Sequence, residues 1–167
     1  MTFELIQRIV NAALLEFYQK DYVLLQHDIH ENAIAHKLAC YLQGYFPSLN
    51  VDFEYNGNVF NQVNERKQID GGNVKPDIVV HERLSNERNI LIVEIKKTSN
   101  DSDGQADRNR LMHCTSNECA FKYKFGLFVR LGVRRRVACG ELYWYQNGEY
   151  NGSFPVYNPH LAQNINE

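Results

Sequence analysis

The segment KPDIVVHERLSNERNILIVEIKK, Lys75 to Lys97, restricts the fold more than any other part of the chain. It reads as two apolar runs joined by a polar turn around Ser85 to Arg88. Strand side chains alternate between faces, so in the second run Ile90, Ile92, Glu94 and Lys96 share one face and Leu91, Val93, Ile95 and Lys97 the other. Both faces begin apolar. A strand of this kind is buried on two sides, which calls for layers packed over both surfaces of a sheet, and predicts an α/β fold with this strand at its centre. In the first run Asp77, Val79 and His81 share a face, and the short turn predicts antiparallel pairing of the two runs. A hairpin symmetric about its turn then sets Asp77 beside Glu94, with Lys96 about 7 Å further along the same face.

The rest of the chain supplies the covering layers. Ile6, Ile9, Val10, Ala13, Leu14 and Phe17 recur at helical spacing and predict an amphipathic helix over 3–19. A second helix is expected over about 30–45, from Ile34, Ala35, Leu38, Leu42 and Tyr45, ending before Pro47. VDFEYNGNVFNQV predicts a hairpin around Asn56-Gly57, and Gly71-Gly72 marks a loop. After Lys97 a polar gap leads to a helix from about Gln105 to His113, then a buried strand KFGLFVRL, then a hairpin over about 140–152 around Asn147-Gly148. With 167 residues, 44% of them hydrophobic, the chain is sized for one core, so 1–167 is read as a single domain.

Composition narrows the function classes. Eighteen basic against 20 acidic residues exclude a coat of positive charge, so any nucleic-acid surface must be local. Glu4 and Arg8 interrupt the apolar N-terminal segment, which fits neither a signal peptide nor a membrane span, and the cytoplasm is the expected compartment. Cys40, Cys114, Cys119 and Cys139 form no CxxC pair and are read as free thiols.

Charge at the end of a buried strand is costly, several kcal/mol for each isolated group, so Asp77, Glu94 and Lys96 must be paired or must hold a cation. One reading is a plain ion cluster with partly wet strand ends. Two carboxylates against one lysine leave the patch negative, however, which suits Mg²⁺ or Mn²⁺ with their preference for oxygen ligands. Glu31 occupies the first position of the core-facing stripe of the second helix, in line with Leu38 and Leu42. It also completes Asp28-x-x-Glu31, a capping-box spacing.

The order of these features resembles the PD-(D/E)XK nuclease superfamily: an inward Glu31 on a helix, then Pro76-Asp77, a hydrophobic strand ending Glu94-Ile95-Lys96, a further helix and a buried strand. The likeness covers about 28–131. It implies a restriction-endonuclease-like fold, a mixed central β-sheet flanked by helices. It further implies that Asp77, Glu94 and the backbone carbonyl of Ile95 hold Mg²⁺ or Mn²⁺, with Glu31 an auxiliary acid and Lys96 the catalytic lysine. The exonuclease-type Gln-x-x-x-Tyr signature is missing, because Gln105 is followed four residues later by Asn109. The activity implied is metal-dependent phosphodiester hydrolysis, with DNA the expected substrate and endonucleolytic cutting the expected mode. The alternative is a fold relative whose catalysis has lapsed and which binds nucleic acid or protein. A plain interaction domain would instead leave Glu31 far from Asp77.

Other residues bear on this reading. In such a site Lys96 would orient or deprotonate the attacking water or neutralise phosphate charge, and a neighbouring cation would lower its pKa toward the base role. Arg134, Arg135 and Arg136 follow the strand KFGLFVRL in a turn, either solvated or touching phosphate, and Arg66 and Lys67 are a second candidate contact. Tyr143, Trp144 and Tyr145 either stack on bases or cover the sheet. Lys97 reads as a surface lysine, and Asp107 with Arg110 as a surface pair at helical spacing. A domain of this size has little room for a separate sequence reader, so a homodimer or partner subunit is expected to add contact area.

Overall fold

The computed structural model describes residues 1–55, 57, 68–69, 72–73, 75–136 and 139–156. Helix α1, Phe3–Asp21, is capped by the Thr2 hydroxyl, which accepts from the Leu5 amide. A short α2, Val23–Gln26, leads into α3, Glu31–Gln43. Strand β1 is Asn50–Phe53, and β2 (Gln68–Ile69) and β3 (Gly72–Asn73) pair as a small antiparallel ribbon of their own. Strands β4 (Ile78–His81) and β5 (Leu91–Lys97) follow, then α4 (Gln105–Thr115), β6 (Phe125–Leu131), a 3₁₀ turn over Arg134–Arg136, β7 (Gly140–Gln146) and β8 (Glu149–Pro155).

Six strands form one mixed sheet in the order β1-β4-β5-β6-β7-β8. Among the described strands only the β5–β6 pair is parallel, and α4 makes the crossover between them. Strand β5 is central, and its first five residues are buried. Its alternation sends Leu91, Val93 and Ile95 to a large core under α1 and α3, and Ile92 to a smaller core under α4. Each fully buried aliphatic side chain of this set contributes about 1.5–3 kcal/mol relative to exposure. The expectation of a strand covered on both sides is met.

The antiparallel pairing of β4 with β5 has the anticipated register: Ile78 opposes Val93, and Val79 opposes Ile92. One further step sets Asp77 opposite Glu94. The C-terminal hairpin turns at Asn147-Gly148, both at positive φ as a two-residue I′ turn requires, and its strands run on to Pro155. The hairpin expected around Asn56-Gly57 lies, beyond Tyr55 and apart from Gly57, outside the described residues, as do Arg66 and Lys67. The strand that would open it, β1, pairs with β4, matching Asn50 to His81 and Phe53 to Ile78. Among the described residues no helix is long and apolar enough to cross a membrane.

Candidate active site

The site is built where β5 runs out of core. Lys96 and Lys97 are the first residues of this strand that are not fully buried, so charge appears where the covering layers thin. Asp77 stands just before β4, its carbonyl held by the Glu54 amide, and its Oδ2 accepts from the Ile95 amide at 2.7 Å. That bond continues the β4–β5 ladder with a side chain. It also means that Ile95 contributes its amide here.

Glu31 reaches the same place from the first turn of α3. Its Oε1 accepts from the Lys97 amide at 3.0 Å and from Asn100 Nδ2 at 3.1 Å, and its Oε2 lies 3.9 Å from Lys96 Nζ. The capping-box reading is therefore corrected. The N-cap is His30, whose Nδ1 accepts from the Asn32 amide, and Glu31 spans the gap to β5 instead. Asp28, at positive φ, turns its carboxylate to Lys97 Nζ (2.8 Å), Ser99 Oγ (2.8 Å) and Arg134 (3.1 Å). Lys97 is accordingly no ordinary surface lysine: it also donates to the Ile29 carbonyl and ties the start of α3 to β5.

Two residues that the sequence reading placed in a surface pair belong to the site. Asp107 is 8% exposed and lies 3.4 Å from Lys96 Nζ. Arg110 donates to Glu94 Oε1 at 2.6 Å and lies 3.2 Å from Asp107 Oδ1. The signal was present in spacing: Asp107, Leu111 and Cys114 fall at i, i+4 and i+7 on the buried face of α4, so a carboxylate occupies the first position of its inward stripe. The helix is otherwise too polar for that stripe to stand out. Gly104, at φ +73, caps α4 against the Phe128 ring, where a Cβ would come within 2.4 Å.

Four carboxylates thus share two cations. Glu94 is 3% exposed, and burial, then the neighbouring Asp77 charge, push its pKa from the ordinary 4.5 up to about 8 despite Arg110. Burial likewise raises Asp77 to about 6, against the opposing Ile95 amide and Lys96. For Lys96 burial works against the ammonium, but Asp107, Glu31 and Asp77 outweigh it and hold the pKa above its usual value. The excess of negative charge matches one divalent cation, and carboxylate oxygens are the donors Mg²⁺ and Mn²⁺ prefer. Among the described residues no three acidic, His or Cys side chains stand grouped so as to hold a metal ion. Arg110 and the Ile95 amide each engage a carboxylate oxygen of the cluster. The donor chemistry, carboxylate oxygen, is of the kind such an ion takes, with Glu94 engaged by Arg110.

The basic turn and the aromatic strand sort differently. Arg134, Arg135 and Arg136 are exposed, and their turn is fixed to the site by the Arg134–Asp28 pair and by the Val133 amide on Thr98 Oγ1. Trp144 and Tyr145 are buried in the two cores and cover the sheet, so they are not stacking platforms, while Tyr143 edges against Phe128. None of the four cysteines is in a disulfide.

No protein-family model matches the chain, and no curated protein matches it. Among solved structures, it is similar to a chain of a cryo-EM structure of a DrdV–DNA complex. The two share a TM-score of 0.54 and 16% identity over 93% of this chain. The fold is restriction-endonuclease-like. The likeness spans 13% of the DrdV chain, so it bears on this one unit of a much longer protein.

Proposed function

We propose that the protein is a divalent-metal-dependent nuclease that hydrolyses phosphodiester bonds in DNA, by endonucleolytic attack. The observation that carries this reading is convergence: Glu31, Asp77, Glu94, Lys96 and Asp107 come from four separate segments to one strand end, with acid in excess. Glu31 and Asp77 both act on Lys96, which a plain interaction domain gives no reason to expect.

Asp77 and Glu94 would hold Mg²⁺ or Mn²⁺, with the Ile95 carbonyl as a further donor and Glu31 as an auxiliary acid. Bound there, the ion would polarise the scissile phosphate and acidify a water. Lys96, an ammonium in this environment, would donate to a phosphate oxygen or orient the attacking water, and Asp107 and Glu31 fix its position from two sides. Arg135 and Arg136 would meet backbone phosphates beyond the strand end, without reading bases. The DrdV structure contains DNA, which favours DNA as the partner here. A second copy or a partner chain would add the contact area that a single small unit lacks.

A second reading, a lapsed nuclease-fold module that binds nucleic acid, draws on one observation: Arg110 already occupies Glu94. Supercoiled plasmid incubated with the protein and MgCl₂ or MnCl₂ separates the two. Nicking that EDTA stops and that Lys96→Ala abolishes is expected. Plasmid left intact while DNA is still retarded in a gel would favour the lapsed module.

A further inference from the structure

We infer that Arg110 is a displaceable counter-ion, which holds Glu94 in the absence of metal and turns to a phosphate of the nucleic acid once a divalent cation takes that carboxylate. The inference rests on the nuclease reading. Its basis is a coincidence of position: the guanidinium sits 2.6 Å from an oxygen of Glu94, the carboxylate most deeply buried in the site. A carboxylate at that depth requires a positive partner. Guanidinium and divalent ion cannot both take the same oxygen at contact distance, so one must yield to the other.

The geometry favours Arg110 as the mobile partner. Glu94 is fixed within β5 at 3% side-chain exposure, whereas the Arg110 side chain is 30% exposed and emerges from α4 at the open margin of the cluster. Asp107, one turn earlier on the same helix, lies within 3.2 Å of Arg110 and 3.4 Å of Lys96. It therefore keeps the two cations side by side and would hold Arg110 near the site after Glu94 is given up. A released guanidinium beside a divalent ion is repelled from it and has one anionic partner left to gain, a phosphate, which its planar fork suits in a two-point contact. Arg110 is thus assigned as a phosphate contact that waits on the carboxylate the metal will use.

The test is a crossover. In calorimetric titrations with CaCl₂ and no DNA, Arg110→Met should bind the ion about fivefold to tenfold more tightly than the wild type, because no guanidinium competes. With CaCl₂ saturating, the same variant should bind a labelled phosphorothioate DNA duplex about tenfold more weakly, because a charge-assisted contact is lost. A purely structural role for Arg110 would lower both affinities or neither, and either pattern overturns the proposal. Should Arg110→Met fail to fold by circular dichroism, the wild type decides: its Arg110 Nε–Hε resonance, assigned with Arg110→Lys, should shift on CaCl₂ addition, and an unmoved resonance overturns it. A wild type that takes up Ca²⁺ and nicks plasmid without the crossover removes only the role of Arg110. A wild type that takes up no divalent ion removes the nuclease reading as well.

Discussion

The two ends of β4 carry ionic clusters on the same face of the sheet, and they are balanced in opposite ways. At the His81 end, Asp52 of β1 faces two partners: Arg83, whose Nε lies 2.8 Å away, and His81 Nε2 at 2.9 Å. Its hydrogen bonds with Arg83, then those with His81, outweigh burial and hold its pKa below the usual value. At the Asp77 end four carboxylates share Lys96 and Arg110, and the pKa values of Asp77 and Glu94 stand well above the usual range. A cluster with one acid and two donors is what a fold needs to close a strand end. A cluster left short of positive charge costs stability, and such clusters concentrate where chemistry is done.

The largest expected effect separates the two ends by activity. Lys96→Ala should lower the initial rate of metal-dependent plasmid nicking by about a hundredfold to ten-thousandfold while leaving calorimetric metal uptake in place. Asp52→Asn, measured in the same assay, should cut at the wild-type rate. An Asp52→Asn protein as inactive as Lys96→Ala would erase the distinction between the ends.

Stability should separate them with opposite signs. In EDTA at pH 8, Glu94→Gln or Asp77→Asn should raise the free energy of urea unfolding by about 1–2 kcal/mol, since each removes a poorly compensated buried charge. Asp52→Asn should lower it by about 1–3 kcal/mol, since two donors lose an ionised acceptor. Both ends losing stability on neutralisation would mean that the Asp77 end is an ordinary structural ion cluster.

The pH dependence carries the same contrast. Glu94 and Asp77 bind protons more tightly in the folded protein than in the unfolded chain, so metal-free stability should decline as pH rises from about 4, through about 6 for Asp77 and toward about 8 for Glu94. Asp52 binds its proton less tightly when folded, so its contribution is complete above the ordinary carboxylate pKa and is lost as pH falls through the depressed value. Urea midpoints measured from pH 3 to pH 8 should therefore fall toward both extremes. Glu94→Gln should flatten the alkaline limb alone, and Asp52→Asn the acid limb alone.

Much of this arrangement was legible in the residues. The two-sided apolar run of β5 dictated a central strand, and the spacing from Asp77 to Glu94 around a short turn gave the register now seen. The inward position of Glu31 was legible in helical phase, although its partner was not: the capping pattern with Asp28 is local, while the Lys97 amide lies 66 residues away. Asp107 and Arg110 were misread because spacing i, i+3 describes a surface pair equally well, and α4 has too few apolar residues to betray its buried face. The pairing of β1 with β4 was not legible either, because strand pairing is decided by which edge the sheet leaves open, and that is a property of the assembled layers.

The smallest effect concerns the arginine turn, and it tests whether basic residues near each end have different duties. Arg83 is committed to Asp52, so Arg83→Ala should reduce stability and leave DNA affinity alone. Arg134 is tied to Asp28, but its side chain is 73% exposed, so that pair contributes at most about 1 kcal/mol. Arg135 and Arg136 are exposed in the same turn, which the Val133 amide holds against Thr98 just beyond β5. Replacing both with Ala should weaken binding of a DNA duplex a few-fold, with similar loss for unrelated sequences. It should also make the plot of log affinity against log salt shallower by about one for each arginine removed. Phosphate contacts position nucleic acid without reading it, so a loss confined to one DNA sequence would place these arginines at base edges instead. An unchanged salt slope would mean that these arginines do not meet phosphates, leaving Lys96 and Arg110 as the cations of the strand end that receive the backbone.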